Sequence, residues 1–128
     1  MEVIILAVIT VKVSGAPYGS EAFYNTMRFV LAALSEGHEV NVFLLGDAVA
    51  AARKGQETPE FPGLLEGAMP NAEELLKSAI RMGARVKACG VCCKQRAITQ
   101  EDMVEGCSIG SMKDLANWIV YSDKSVDF

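Results

Sequence analysis

The residues of this chain whose types and spacing could do chemistry are its cysteines. Cys89, Cys92 and Cys93 lie within one short segment, and Cys107 is the fourth cysteine among 128 residues. The stretch Lys77–Arg96 around them contains six basic residues and no acidic residue. Because nearby positive charge favours the thiolate, which is the nucleophilic form of cysteine, this distribution predicts a reactive thiol. A buried packing role for Cys89 at the end of a strand is the competing interpretation.

Two other kinds of site share the spacing of Cys89 and Cys92. A C-x-x-C pair directly after a predicted strand fits a thiol–disulfide motif, although no aromatic residue precedes it as in thioredoxin-like sites. A zinc site would need further ligands from Cys93, Cys107 and His38, which would have to converge in the fold. His38 is the only histidine, and its place at the start of a predicted strand favours a solvated or core role.

The composition indicates the kind of domain that must position these thiols. A chain of 128 residues with 51% hydrophobic and 22% charged residues is typical of one globular domain. Its net charge of −4 argues against direct nucleic-acid binding. No apolar run reaches the ~18–20 residues that span a bilayer, and Glu2 stands where a signal peptide would be basic. We therefore predict a cytoplasmic protein with reduced thiols and no membrane partner.

Apolar runs and turn signals predict an alternation of strands and helices. The first run, Val3–Val11, is apolar without alternation, as expected for a strand buried on both faces of a parallel sheet. The remaining predicted strands are His38–Leu45, Arg85–Cys89, Cys107–Gly110 and Ser125–Phe128. This order indicates the α/β class with a mostly parallel sheet.

The predicted helices occupy the segments between these strands and begin at residues that can cap them. They are Glu21–Glu36, Ala48–Lys54, Asn71–Gly83, Thr99–Met103 and Met112–Ser122, with the capping residues Ser20, Asp47, Asn71, Thr99 and Ser111. Ligands of parallel sheets gather at the carboxyl ends of the strands. The predicted loops at that edge are Lys12–Ser20, Gly46–Asp47 and Gly90–Arg96.

The segment Gln56–Pro70 is predicted to be a long surface excursion, because it holds three of the four prolines. It also carries four large apolar side chains among polar residues, Phe61, Leu64, Leu65 and Met69. On the surface of a monomer these side chains would form an apolar patch, so the excursion is a candidate subunit contact.

Five motifs, in order, resemble the DsrE/DsrF-like family and within it the YchN-like branch. They are GAPYGSEAFYNTMR, FLLGDAVAAARKGQ, CGVCCKQRAI, EGCSIGSMKDLANW and SDKSVDF, which together extend over nearly the whole chain. The thiol pattern of that branch is C-x-x-C-x-x-x-R-G-I, and Cys89, Cys92, Arg96 and Ile98 match it here. Ala97 replaces the glycine of the pattern, which puts the local backbone conformation in question.

The resemblance implies a three-layer α/β/α sandwich of about five mostly parallel strands, and assembly into trimers or hexamers. It also implies sulfur handling with sulfur donor and acceptor proteins as partners, and no metal or other cofactor. In that role Cys89 would carry sulfur as a persulfide, Arg96 would stabilise its anion, and Cys92 could act as a resolving thiol. Cys93 and Cys107 fall outside the pattern.

A loop next to the cysteine segment is predicted to line the substrate pocket through Tyr18, Gly19 and Ser20. Glu21 either is a simple first-turn acid of the following helix or orients a basic residue across a subunit contact. Two alternative functions keep the same fold, a non-catalytic oligomeric binding module and a C-x-x-C thiol–disulfide protein.

Overall fold

A computed structural model describes residues 5–57 and 71–128. The strands are β1 Val8–Val13, β2 Glu39–Leu44, β3 Arg85–Cys89, β4 Cys107–Gly110 and β5 Lys124–Asp127. The α-helices are α1 Ala22–Ser35, α2 Ala72–Arg81, α3 Gly90–Gln95 and α4 Met112–Tyr121, and the 3-10 helices are Gly46–Ala52 and Gln100–Asp102. No helix in the described part of the chain is both long and apolar enough to cross a membrane.

The five strands form one sheet in the order β4-β3-β2-β1-β5, and every neighbouring pair is parallel. Parallel strands require crossover connections, and these are almost always right-handed. Because β1 to β4 follow one another in one direction, α1 and α2 lie together on one face. The connection from β4 back to β5 runs the other way, which places α4 on the opposite face.

Side-chain alternation along the strands supplies the apolar surface for each layer. Val11 and Val42 are fully buried and belong to the core cluster with α1. On the other face the Trp118 ring of α4 lies edge-on to Phe43 at 6.1 Å. The Lys87 ammonium lies 5.2 Å from the same indole ring. The predicted α/β class and three-layer arrangement are therefore confirmed.

The first strand differs from its prediction. Its pairing begins at Val8 and continues to Val13, beyond the predicted end at Val11. Ile5 and Leu6 are 76% and 63% exposed, and no strand is assigned to them. The physical reason is that a strand extends only as far as its neighbour offers hydrogen-bonding partners. Strand β2 begins at Glu39, which is paired with Val8, and the pairing of β1 therefore begins at Val8.

Two of the predicted helix caps are wrong. Ser20 makes no cap, and its hydroxyl donates to the carbonyl of Ala16 at 3.4 Å. Helix α1 begins instead after Glu21, which makes no side-chain capping bond. Asp47 lies inside the 3-10 helix, which begins one residue earlier at Gly46 and ends at Ala52, before the predicted end at Lys54.

The other three predicted caps are confirmed by hydrogen bonds. The Asn71 side chain accepts from the Glu74 backbone amide at 2.9 Å. Thr99 and Ser111 each form a reciprocal capping box, Thr99 with Asp102 of the second 3-10 helix and Ser111 with Asp114 of α4. The predicted apolar patch of the Gln56–Pro70 excursion lies outside the described residues.

Candidate functional site

Cys89 is the last residue of β3, an inner strand of the sheet, and α3 begins directly after it. Its exposed fraction is 3%. The sequence places a cysteine here because the buried strand RVKAC ends where the glycine of CGVCC starts a short helix. Cys89 therefore lies at the carboxyl edge of the parallel sheet, where ligands of such sheets bind.

Cys92 lies in α3, three residues after Cys89, and Arg96 follows the last residue of that helix. Cys92 is partly exposed, in contrast to Cys89. The Arg96 guanidinium donates to the Cys92 backbone carbonyl at 3.0 Å. This bond fixes a cation over the last turn of the C-x-x-C segment.

Asp47, in the 3-10 helix that follows β2, accepts hydrogen bonds from the same guanidinium. Its Oδ1 accepts from Arg96 Nε at 3.3 Å and from Arg96 Nη2 at 2.9 Å. The two side chains are 66% and 32% exposed, so the ion pair is accessible to solvent. Sequence analysis missed Asp47 as a site residue and assigned it a capping role. The available signal was its position directly after β2, in the motif FLLGDAVAAARKGQ.

The basic stretch around the cysteines is largely neutralised in the fold. Four of its six cations form ion pairs with acidic residues from other segments or from the preceding turn. These pairs are Lys77–Glu73, Arg85–Glu39, Lys87–Asp114 and Arg96–Asp47. Most of the positive charge that the sequence suggested is therefore paired with carboxylates, and Arg96 is the cation with a direct bond to the cysteine segment.

The two remaining cysteines are buried in the core. Cys93 is 1% exposed and Cys107 is 4% exposed. Burial raises the pKa of the Cys93 thiol, and it raises the pKa of the Cys107 thiol to about 12. Both thiols therefore resist ionisation, which leaves Cys89, itself only 3% exposed, and the partly exposed Cys92 as the two candidates for sulfur transfer.

The ligands of the zinc alternative do not converge in the described residues. In 5–57 and 71–128, no three His, Cys, Asp or Glu side chains are grouped to hold a metal ion. His38 has a structural partner, because its Nδ1 accepts from the Ala7 backbone amide at 3.0 Å. This bond ties the segment before β1 to the start of β2.

A cleft of about 410 Å³ lies beside the cysteine segment. Residues from three connecting segments line it, and these segments follow β1, β2 and β3 at the carboxyl edge of the sheet. The lining residues are Ala16, Pro17, Tyr18, Asp47, Ala50, Arg53, Arg96 and Ile98. The three segments that sequence analysis placed at this edge therefore contribute to one cavity, but two of them are helical and not loops, because Gly46–Ala52 is a 3-10 helix and Gly90–Gln95 is α3.

Of the predicted pocket residues, Tyr18 lines this cleft. Its hydroxyl accepts from the Ala72 backbone amide at 3.1 Å and donates to Gln56 Oε1, which connects the first loop to the start of α2. The other three, Gly19, Ser20 and Glu21, occupy the turn that leads into α1 and are not among the lining residues.

Ala97 adopts the backbone conformation that glycine would provide. Its φ is 55°, in the left-handed region. The Ala97 amide donates to the Lys94 carbonyl at 3.3 Å, and the Ile98 amide donates to the Cys93 carbonyl at 3.0 Å. These two bonds form a Schellman motif at the end of α3. The replacement of glycine therefore preserves the loop geometry and costs conformational energy.

We expect Ala97→Gly to stabilise the protein by about 0.5–1 kcal/mol. It removes the left-handed strain of alanine, and the extra freedom of glycine in the unfolded chain offsets part of the gain. Thermal unfolding should show a midpoint about 2–4 °C higher. Ala116→Gly on the exposed face of α4 is the matched control, and there the same change should destabilise by about 1 kcal/mol. A lower midpoint for Ala97→Gly would contradict the strain.

Comparison with known proteins gives the chain its family. The DsrE/DsrF-like family matches residues 7–128. An uncharacterized protein of Methanopyrus kandleri is 46% identical over 121 residues, which cover 94% of this chain and 93% of the relative. Protein YchN of Escherichia coli is 33% identical over 122 residues, which cover 94% of this chain and 97% of YchN. The crystal structure of the E. coli ychN protein matches with a TM-score of 0.83 and 29% identity, covering 97% of this chain and 100% of that chain. The chain therefore belongs to the DsrE/DsrF-like family.

Proposed function

We propose that this chain carries sulfane sulfur as a persulfide on Cys89 and exchanges it with donor and acceptor proteins in the cytoplasm. The family is associated generally with sulfur relay, and the finer role rests on one observation. Cys89 and Cys92 lie at the carboxyl edge of the sheet, where Arg96 is fixed by its bond to the Cys92 carbonyl.

Loading is a thiolate attack on the outer sulfur of the donor persulfide. The Cys89 thiolate forms a new S–S bond, the S–S bond of the donor breaks, and the donor leaves as a thiolate. The product on Cys89 is a persulfide, which the Arg96 guanidinium stabilises as an anion by its charge. An acceptor thiolate removes the outer sulfur by the same exchange in reverse.

Cys92 offers a second route of release. Its thiolate attacks the inner sulfur of the Cys89 persulfide, forms a Cys89–Cys92 disulfide and expels hydrosulfide. The two cysteines are oxidised and the sulfane sulfur is reduced, so the electrons balance within the step. A dithiol reductant then returns the disulfide to two thiols.

The oligomeric part of the proposal is a trimer or hexamer. It is supported by apolar side chains that α4 leaves on the surface of the single chain. Met112, Val120 and Tyr121 are 58%, 73% and 81% exposed. Several large exposed apolar side chains on one helix are a feature of protein–protein contacts.

The test is mass spectrometry of the alkylated protein after incubation with a persulfide donor. We expect one added sulfur atom on the peptide that contains Cys89, and we expect Cys89→Ser to lose it. Cys107→Ala is the matched control, because it removes a buried thiol of raised pKa and should keep the adduct. Light scattering of the same sample should give a trimeric or hexameric mass.

Two outcomes would contradict the assignment to Cys89. A wild-type yield of adduct in Cys89→Ser would remove the persulfide proposal for this residue. Loss of the adduct in Cys92→Ser, with retention in Cys89→Ser, would instead make Cys92 the accepting thiol. The partial exposure of Cys92 is the observation that gives this second assignment its basis. A monomeric mass would contradict the oligomeric part.

A further inference from the structure

We propose that the cleft beside the cysteine segment binds a small thiol, or its persulfide, that bears a carboxylate, and that Arg53 holds this carboxylate. The proposal rests on the proposed function for the role of the sulfur atom, and it names the class of donor or acceptor. The binding of the carboxylate rests on the cleft alone.

The position of the cleft is that of a ligand site. Tyr18 follows β1, Asp47 and Arg53 follow β2, and Arg96 follows β3 and α3. Three adjacent parallel strands thus end at one cavity, as in other open α/β sheets that bind small ligands. Its volume of about 410 Å³ is within the usual range for small-molecule sites.

The charges of the lining residues favour an anion at Arg53. The Arg96 guanidinium is already occupied by Asp47 and by the Cys92 carbonyl. In the described part of the chain, Arg53 forms no ion pair within 4.0 Å. The pKa of the Asp102 carboxyl is lowered mainly by hydrogen bonds from the backbone amide and hydroxyl of Thr99, and to a lesser degree by the positive charges of Arg53 and Lys54.

An arginine side chain matches a carboxylate through two parallel hydrogen bonds. Arg53 is an exposed residue that lines the cleft, so its side chain can reorient to receive such a group. Among the described lining residues, Asp47 and Arg96 balance each other, so Arg53 gives this set one net positive charge. A ligand with one negative charge therefore neutralises the positive charge that Arg53 contributes.

The remaining walls suit the carbon skeleton of such a ligand. Ala16, Pro17, Ala50 and Ile98 supply an apolar lining. The Tyr18 hydroxyl is engaged by Gln56 and by α2, so its ring forms a fixed part of the rim. An apolar wall beside Arg53, a cation with no ion pair among the described residues, recognises a short molecule with an anionic end.

The cleft adjoins the cysteine segment through two bonds to its backbone, and no cysteine is among the described lining residues. Arg96 bonds to the Cys92 carbonyl, and the Ile98 amide bonds to the Cys93 carbonyl. A ligand with its carboxylate on Arg53 therefore lies against the loop that ends the C-x-x-C segment. In transfer, the Cys89 thiolate attacks the outer sulfur of the bound persulfide, and the small molecule leaves as its thiolate.

The experiment is calorimetric titration of the Cys89→Ser/Cys92→Ser protein with two probes under reducing conditions. N-acetylcysteine carries a carboxylate, and N-acetylcysteine amide is a neutral analogue of nearly the same shape. We expect saturable binding of N-acetylcysteine, and at least about tenfold weaker binding of the amide. Arg53→Met in the same background should weaken N-acetylcysteine binding by a similar factor.

Arg28→Met is the matched control, because it removes the same charge from the exposed surface of α1, outside the cleft. It should bind N-acetylcysteine as the parent protein does. Three results would each overturn the proposal: no saturable binding of N-acetylcysteine, equal binding of the two probes, or unchanged binding by Arg53→Met.

The two proposals fail in different ways. The titrated protein lacks both Cys89 and Cys92, so its binding does not depend on persulfide transfer. Intact binding with no adduct in the transfer experiment would refute the sulfur function and leave a carboxylate site. An adduct on Cys89 without binding of N-acetylcysteine would refute the small-molecule site and restrict the partners to proteins.

Discussion

Cys107 is expected to react with iodoacetamide about a thousandfold more slowly in the folded protein than in the unfolded chain near neutral pH. Burial raises the pKa of the Cys107 thiol from the ordinary 9.0 to about 12. Each pKa unit lowers the thiolate fraction about tenfold when the pH is below both values. Because Cys107 is also only 4% exposed, steric protection adds to the effect.

The sign of the pH dependence follows from the direction of this shift. In the folded protein the Cys107 rate should rise about tenfold per pH unit through mildly alkaline pH, where the unfolded chain approaches its plateau. Mass spectrometry of peptides after timed labelling, with and without denaturant, measures both rates. Cys92 is the internal control, since its partial exposure leaves it open to the reagent.

Labelling of Cys107 in the folded protein as fast as Cys92 would contradict the burial of this thiol. The expected result has a functional consequence. If Cys107 is protected, any sulfur that the folded protein accepts must lie in the segment Cys89–Cys93. Since Cys93 is also buried with a raised pKa, the choice narrows to Cys89 and Cys92.

Arg96→Met is expected to lower the rate of sulfur loading at least about tenfold, which corresponds to about 1.4 kcal/mol of lost stabilisation. The guanidinium is the cation with a direct bond to the C-x-x-C segment, and methionine keeps much of its length without charge. The persulfide anion and the attacking thiolate therefore lose a compensating charge. The rate of adduct formation, measured by mass spectrometry at limiting donor, tests this expectation.

The variant Asp47→Asn tests the effect of the Arg96 charge while it keeps a hydrogen-bonding partner for the guanidinium. The asparagine oxygen can still accept from Arg96, but it no longer neutralises the guanidinium. We expect loading by this variant to equal or exceed that of the wild type, while Arg96→Lys restores only part of the rate lost in Arg96→Met. Wild-type loading by Arg96→Met would remove Arg96 from the mechanism. Equal losses in Asp47→Asn and Arg96→Met would indicate that the intact Asp47–Arg96 ion pair, and not the positive charge of Arg96 alone, is what matters.

Several elements of the fold could be predicted residue by residue. The bounds of β3 and β4 agree with the predicted Arg85–Cys89 and Cys107–Gly110. Each run is short and is bounded by turn residues or a capping serine, so local signals define both ends. The caps at Thr99 and Ser111 were predictable for the same reason, because a capping box involves residues only three positions apart.

The start of β1 could not be predicted from its own residues. The apolar run from Val3 has no internal boundary, and the pairing partner decides where the strand begins. The conformation of Ala97 could not be predicted from its own residue type either, because a residue with a side chain is unfavourable at positive φ. The Schellman bonds at the end of α3 impose that φ of 55° despite the local preference.

By itself, the sequence determined the α/β class, the place of Cys89 at a strand end and the three segments that share one edge of the sheet. These features depend on hydrophobic runs and on contacts between residues close in the chain. The tertiary structure alone decided that Asp47 binds Arg96 across 49 positions, which cysteines are accessible, and how much of the basic stretch is neutralised. Charge balance and burial depend on which distant segments meet, and that is a property of the packed fold.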